Sequence, residues 1–470
     1  MRSWLAFPVA VAALLPLAAC APDLGAAPKP RTAASLAATR SLPDQAGSWP
    51  GDGWWRRYGD AQLDRLIDEG LAGAPDIAAA AARLARAEGL ARSAGAARGP
   101  SLIANGSAGE VKQSYNNGFP REFLPQGWND TGTLSLSGSF DLDLWGKNRA
   151  RLRAALADRD AARIEAAEAR LTLASAIAST YADYARLFAE RDVAQEAVRI
   201  QQDTANLVAD RVRNGLDTEG QRKQAEAAVP AAQADLAQID EQITLTRHQL
   251  AALIGAGPDR GLSIIRPDIA TLAPAPLPAS ASIDLVGRRP DIAAARARVE
   301  AAAERIKVAH AAFYPDISLS GLIGLQSLGL SNLLKGGSTY GNVGPAVSLP
   351  IFDSGKRSGD YRVARADYDA AVADYDRTLV QALRQVADAV ASRNSLAIQL
   401  AHARAALADS EEAYRIARLR YSGGLSTYIE TLSAEQTVIT ARRREADLSA
   451  RAFALDVALV RALGGGFAGA

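Results

Sequence analysis

Three histidines and one cysteine are the chain's whole stock of imidazole and thiol groups. His248, His310 and His402 stand far apart on stretches of helical composition, so they read as helix-surface or packing residues rather than as a catalytic or metal centre. One Cys excludes an intrachain disulfide framework and any cysteine-rich metal site. The chain has no Gly-x-Ser-x-Gly elbow, no phosphate-binding glycine loop and no clustered acid–histidine pair. No catalytic residue, metal or cofactor is therefore expected. With 53 Lys+Arg against 52 Asp+Glu, the net charge of +1 offers no basic footprint for nucleic acid. Almost half the residues (48%) are hydrophobic while aromatics are 6%, so Ala carries much of the apolar content.

The cysteine has a telling position. Met1-Arg2 precedes an apolar run from Trp4 to Ala19, broken by Pro8 and Pro16, which is too short for a spanning helix and fits a secretory signal over 1–19. Its ending, Leu17-Ala18-Ala19-Cys20, resembles the lipobox of bacterial lipoproteins. That resemblance implies that Cys20 becomes the first mature residue and carries acyl chains, palmitate among them. Each buried methylene contributes about 0.8 kcal/mol to such an anchor. The Ala-, Pro- and Ser-rich stretch that follows reads as a tether, 20–50 with its acylated end. Ala21 lacks the Asp that resembles an inner-membrane retention signal, which favours delivery to the outer membrane.

The remainder is written twice. Pro75-Asp76-Ile77-Ala78-Ala79-Ala80 recurs as Pro290-Asp291-Ile292-Ala293-Ala294-Ala295, and at the same offset Pro100 matches Pro315 and Gly106 matches Gly321. The offset then drops by six: Gly146-Lys147 matches Gly355-Lys356, and Gly215-Leu216-Asp217-Thr218 matches Gly424-Leu425-Ser426-Thr427. Chance likeness of Ala-rich helices does not keep punctuating Pro, Gly and Thr in register. The repeats are expected over 51–255 and 283–465, joined by a connector at 256–282 that contains Ala273-Pro274-Ala275-Pro276, with a tail at 466–470.

Each repeat reads helix, strand, strand, long helix, return helix. A first helix is expected over 60–97, and strands near 101–113 and 130–144. In the latter, Leu134, Leu136, Gly138, Phe140, Leu142 and Leu144 alternate with Ser and Asp. Strands are expected again near 316–327 and 341–352, where Pro345 and Pro350 require unpaired amide positions. Strands of this length suit a tilted membrane crossing; a small soluble sandwich is the alternative. Four strands cannot close a membrane barrel, since known ones have eight or more, so a spanning sheet needs several chains.

No Gly or Pro interrupts 147–214 or 360–422, which predicts helices of about 90–100 Å. Ile164, Ala167, Leu171, Ala174, Ala178, Tyr181, Ala185 and Phe188 alternate spacings of three and four, as do Val372, Tyr375, Leu379, Ala382, Val386 and Ala389. Both are coiled-coil seams with small knobs. Return helices of about half that length follow, near 220–254 and 428–463, with a kink expected at Pro230.

Ordered motifs over about 50–465 now carry a family resemblance: Trp54-Trp55 with Tyr58-Gly59-Asp60, Phe140-Asp141-Leu142-Asp143-Leu144-Trp145-Gly146-Lys147, Arg288-Arg289-Pro290-Asp291-Ile292, Phe313-Tyr314-Pro315-Asp316 and Leu349-Pro350-Ile351-Phe352-Asp353-Ser354-Gly355-Lys356. The chain resembles the TolC-like outer membrane efflux proteins, and more narrowly the NodT-type lipoproteins of resistance-nodulation-division systems. The resemblance implies a mainly α fold with a membrane β-barrel portion: a homotrimer closing a 12-stranded barrel, continued by a 12-helix periplasmic tunnel. It implies a passive duct in the Gram-negative outer membrane, lipid-anchored, that works with a periplasmic adaptor protein and an inner-membrane pump. A periplasmic coiled-coil adaptor lipoprotein is the runner-up; its single hairpin set fits a duplicated one poorly.

The resemblance also gives roles to the turns at the far ends of the long helices. Gly215, Leu216 and Thr218, with Gly424, Leu425, Ser426 and Thr427, correspond to tips that meet the adaptor. Gly is suited to a left-handed helix stop, and an exposed Leu to an anchor; local capping and packing are the plain alternative. In many relatives an acidic pair after the second tip rings the entrance. Glu430 fits its first position, while Ser433 fills the second. A single ring of Glu430, with Asp217 or Glu219, is the candidate gate, against an ordinary helix-start Glu favoured by the dipole.

Overall fold

The computed structural model describes residues 21–38, 40–42, 47–116, 118–268, 285 and 287–468. Cys20 and the signal at 1–19 lie outside them, as does most of the connector. The order of elements is α1 (Ala61–Gly73), α2 (Pro75–Ala96), β1 (Ser101–Val111), β2 (Asn129–Asp141), α3 (Lys147–Arg213), α4 (Glu219–Leu253) and a short α5 (Pro258–Leu262). The second repeat follows as α6 (Pro290–Ala311), β3 (Asp316–Leu328), β4 (Thr339–Ser348), α7 (Lys356–Ser422) and α8 (Tyr428–Ala462). The duplication is close: α3 and α7 each have 67 residues, and α4 and α8 each have 35. No described helix is long and apolar enough to cross a membrane.

Several boundaries differ from expectation. The single helix expected over 60–97 is two, because Pro75 drives the residue before it out of the helical region and Ala74 is extended at ψ 135°. The strand expected to reach 144 ends at Asp141, since Asp143 turns left-handed (φ 44°). The Asp143 carboxylate then accepts from the amides of Asn148 (2.8 Å) and Arg149 (3.0 Å), capping the start of α3. Asp353 repeats the device toward Arg357 (3.1 Å), so α7 starts at Lys356 and carries Gly359 inside it, earlier than expected. β4 occupies Thr339–Ser348, which leaves Pro350 beyond the sheet.

The chain folds as two compact units. The first, from 84–161, 295–375 and the N-terminal 21–30 stretch, contains the sheet. Its strands lie in the order β1-β2-β3-β4, all antiparallel, with β2 and β3 joining the two repeats through pairs such as Leu136 with Ile323 and Phe140 with Leu319. Gly324 is required by that pairing: a Cβ there would stand 2.6 Å from the Leu134 carbonyl. Pro345 sits opposite Leu319 on the edge strand β4, where a missing donor is tolerated. Leu102, Leu134, Leu136, Ile323, Val343 and Val347 are exposed, so the sheet buries little apolar surface within one chain.

The second unit holds the main core. Trp54, Trp55 and Tyr58, in a single 3₁₀ turn, pack with Leu63, Leu66 and Ile67 of α1 against Leu173, Ile177, Tyr181 and Tyr184 of α3 and Phe453, Val457 and Val460 of α8. The motif at 54–60 is thus a packing motif. Its buried hydroxyls are satisfied, as burial demands: Tyr58 donates to Asp456 (2.7 Å), Tyr181 to Asp60 (2.6 Å) and Tyr184 to the Ile264 carbonyl (3.0 Å). Of the expected seam positions, Ile164, Leu171, Ala174, Ala178 and Tyr181 are buried on α3, and all six are buried on α7.

Candidate functional site

The two helix turns that end α3 and α7 are built alike. Gly215 (φ 72°) and Gly424 (φ 74°) stop their helices in the left-handed region. In the first turn the Leu216 amide donates to the Arg211 carbonyl (2.9 Å) and the Gly215 amide to that of Val212 (2.9 Å). The second repeats the pattern, from Leu425 to Arg420 (2.7 Å) and from Gly424 to Tyr421 (3.0 Å). Each pair is a Schellman stop. Thr218 then caps α4 in a reciprocal box with Gln221, and Thr427 accepts from the Glu430 amide (3.4 Å) to start α8. Chain reversal therefore takes five residues at each tip, 214–218 and 423–427, with the helix stops closed by backbone hydrogen bonds.

Leu216 and Leu425, held on these turns, are 63% and 72% exposed. Ile429, which sequence reasoning did not single out, is equally exposed at 72% and adds a third exposed apolar side chain at these turns, four residues past Leu425. The Ser426 hydroxyl is buried and makes no hydrogen bond. The signal for Ile429 was present: an apolar residue at the second position of a helix, directly before Glu430.

The two turns are tied together. Arg211 donates to Asp217 (2.8 Å) within its own turn and to the Tyr421 carbonyl (2.8 Å) in the other, with its guanidinium 4.4 Å above the Tyr421 ring. The Tyr421 hydroxyl donates in turn to Asp217. The Arg211 and Asp217 side chains are both largely buried, so this pair is shielded from screening. Burial first, and then the hydrogen bond to Asp217 and the Asp217 charge, push the Tyr421 hydroxyl above its ordinary pKa, which keeps it a donor. The cluster rests on Ala205, Val208, Ala225, Val229 and Tyr428.

The three acidic gate candidates thus occupy different settings. Asp217 is sunk in the cluster. Glu430 accepts from the Thr427 hydroxyl (3.2 Å) as part of its helix cap. Glu219 pairs with Arg222 (2.6 Å) on the exposed start of α4. Of the three histidines, His310 packs edge-on to Tyr314 at 5.5 Å. Trp145 stacks against the same Tyr314 ring at 4.7 Å, its indole donating to the Pro315 carbonyl (2.7 Å). Among the described residues no group of His, Cys, Asp and Glu could hold a metal ion.

Residues 66–256 and 284–465 match the family described as outer membrane efflux protein. The chain is 37% identical over 336 residues to the fusaric acid resistance protein FusA of Burkholderia cepacia, a match covering 70% of this chain and 62% of that protein, less than two thirds of its length. It is 29% identical over 434 residues to the multidrug resistance outer membrane protein MdtP of Escherichia coli strain K12, covering 90% of this chain and 88% of that one. Among solved structures, the outer membrane protein VceC of Vibrio cholerae superposes with a TM-score of 0.85 at 43% identity, over 89% of this chain and 100% of that one.

Proposed function

Because this chain is a member of the outer membrane efflux protein family, we propose that it is the passive exit duct of a tripartite export system. Membership makes it an outer membrane efflux channel of a Gram-negative bacterium rather than an enzyme, and sets aside the reading as a periplasmic adaptor. Small organic molecules, drugs among them, are the proposed cargo; the names of FusA and MdtP speak of fusaric acid and multidrug resistance for those proteins.

The observation that carries the assembly is the four-stranded sheet with exposed apolar side chains and β1 and β4 at its edges. Strand edges are not tolerated in hydrocarbon, and four strands are too few to close. Three copies supply twelve strands, an even number within the known range, so a homotrimer in outer membrane lipid is the proposed state. Acyl chains on Cys20 would add an anchor to the same membrane.

At the turns that end α3 and α7, Leu216 and Leu425 are the proposed contacts for a periplasmic adaptor, in the setting of Gly215, Thr218, Gly424, Ser426 and Thr427; in this reading an inner-membrane resistance-nodulation-division pump supplies the energy. Passage requires the tips to part. In this reading Asp217 acts as a latch through Arg211 and Tyr421, with Glu430 and Glu219 as the acidic rim. Membrane fractions in mild detergent, run on gels with and without heating, test the assembly. A heat-labile species of about three chains is expected, and a monomer in the soluble fraction would overturn the duct.

A further inference from the structure

One buried carboxyl has no part in the latch. Glu435 of α8 is 1% exposed and lies in a polar layer between two apolar ones. On one side are Ala197, Val438 and Ile439, on the other Ala205, Val208, Tyr421 and Tyr428. Thr204 of α3 donates to Glu435 Oε2 at 2.6 Å. The Tyr414 hydroxyl of α7 is buried beside Thr204 in the same layer, and Gln201 Oε1, one turn back along α3, makes no hydrogen bond. Arg418 of α7 is the cation that acts on Glu435, but it is half exposed and faces Asp203 of α3 at 4.0 Å. Tyr428 also feels the Glu435 charge, and α4 contributes Ala225 and Val229 to the adjoining apolar cluster.

A carboxylate in such a layer, with one neutral donor and no ion pair, is costly to charge. We propose that Glu435 is a protonation switch: α3, α7 and α8 pack with its carboxyl neutral, and separation lets water in and the group ionise. Acid then tightens the helices behind the tips, and neutral or alkaline conditions loosen them.

The direction follows from linkage. Burial raises the Glu435 pKa; the Thr204 hydrogen bond and Arg418 pull the other way and are outweighed. In the separated, hydrated state the group returns to the ordinary range of a solvated carboxyl. The packed state holds the proton more tightly, so its extra stability is fully present below the hydrated pKa. That stability falls as pH rises and is gone once pH passes the raised pKa of the packed state. The switch rests on the channel reading only for its consequence, that an acidified periplasm favours a closed duct.

Hydrogen exchange on the purified full-length protein in mild detergent tests this from about pH 4.5 to about pH 8, with rates corrected for intrinsic chemistry. Protection of 428–439 is expected to fall by up to about tenfold per pH unit across the titration window. Glu435→Gln should stay protected at every pH. Thr204→Val removes a donor that favours the charged form, so its fall should move to higher pH, a direction that also serves if the Gln variant does not fold. Equal falls in wild type and Glu435→Gln, a flat wild-type profile, or a Thr204→Val profile that stays in place would each overturn the proposal. Bilayer conductance measured in parallel separates the two readings: no conductance with intact pH-dependent protection would sink the duct and leave the switch standing.

Discussion

Arg211 and Tyr421, 210 positions apart, meet twice: the guanidinium donates to the tyrosine's carbonyl and lies over its ring. The repeat relation pairs Arg211 with Arg420, so this bond crosses from one copy to the other and is not itself duplicated. It is the contact most directly opposed to parting the two turns. Tyr421→Phe leaves Asp217 with Arg211 alone and should weaken the pairing by about 1–3 kcal/mol. In planar bilayers the expected result is a rise in open probability of about 5-fold to about 150-fold while the channel is mostly closed. An unchanged open probability would reduce the cluster to scaffolding.

The exposed tip leucines carry a different expectation. Leu216→Asp and Leu425→Asp alter side chains that touch little within the chain, so thermal stability should move by no more than about 0.5 kcal/mol. Export should be lost while the heat-labile oligomer persists. Ile429→Asp should behave the same way, because Ile429 is an equally exposed apolar side chain four positions past Leu425. Normal drug resistance in all three variants would remove adaptor contact from the tips.

Cys20→Ala tests the anchor. Fatty-acid label should enter the wild-type chain and be absent from the variant; label retained in the variant refutes acylation at this residue.

The core of the second unit predicts stability directly. Leu66 is fully buried among aromatic neighbours, and Leu66→Ala should cost about 2–5 kcal/mol. Gly70→Ala brings a Cβ within 2.7 Å of Ile177 Cδ1, which calls for a shift costing about 1–3 kcal/mol. Thermal unfolding of both variants checks the order of effects.

What the sequence made legible was whatever repeats or punctuates. Gly146-Lys147 and Gly355-Lys356 mark the starts of the long helices, and Gly215 and Gly424 their ends, because a left-handed stop leaves few residue choices. The alternating Leu and Ser of β2 declared a two-faced strand. Contacts between distant copies stayed hidden: nothing local distinguishes Arg211, with its buried partners, from Arg213 on the open surface. Glu435 was hidden for the same reason, since a Glu on a charged helix reads as solvated until its neighbours are known. The break at Ala74 was readable from Pro75 and was missed because the Ala-rich run continues through it.

The equal lengths of α3 and α7 act as a ruler. One residue inserted into either helix would turn everything beyond it by about 100° and advance it by about 1.5 Å. Arg211 would then point away from Tyr421 and the two stops would sit at different heights. Heritable length change is thereby channelled to places where nothing must be met, and the copies differ where the β1-to-β2 loop at 112–128 is longer than the β3-to-β4 loop at 329–338. The architecture leaves the length of those loops free to vary, while the helices must change in both copies together or not at all.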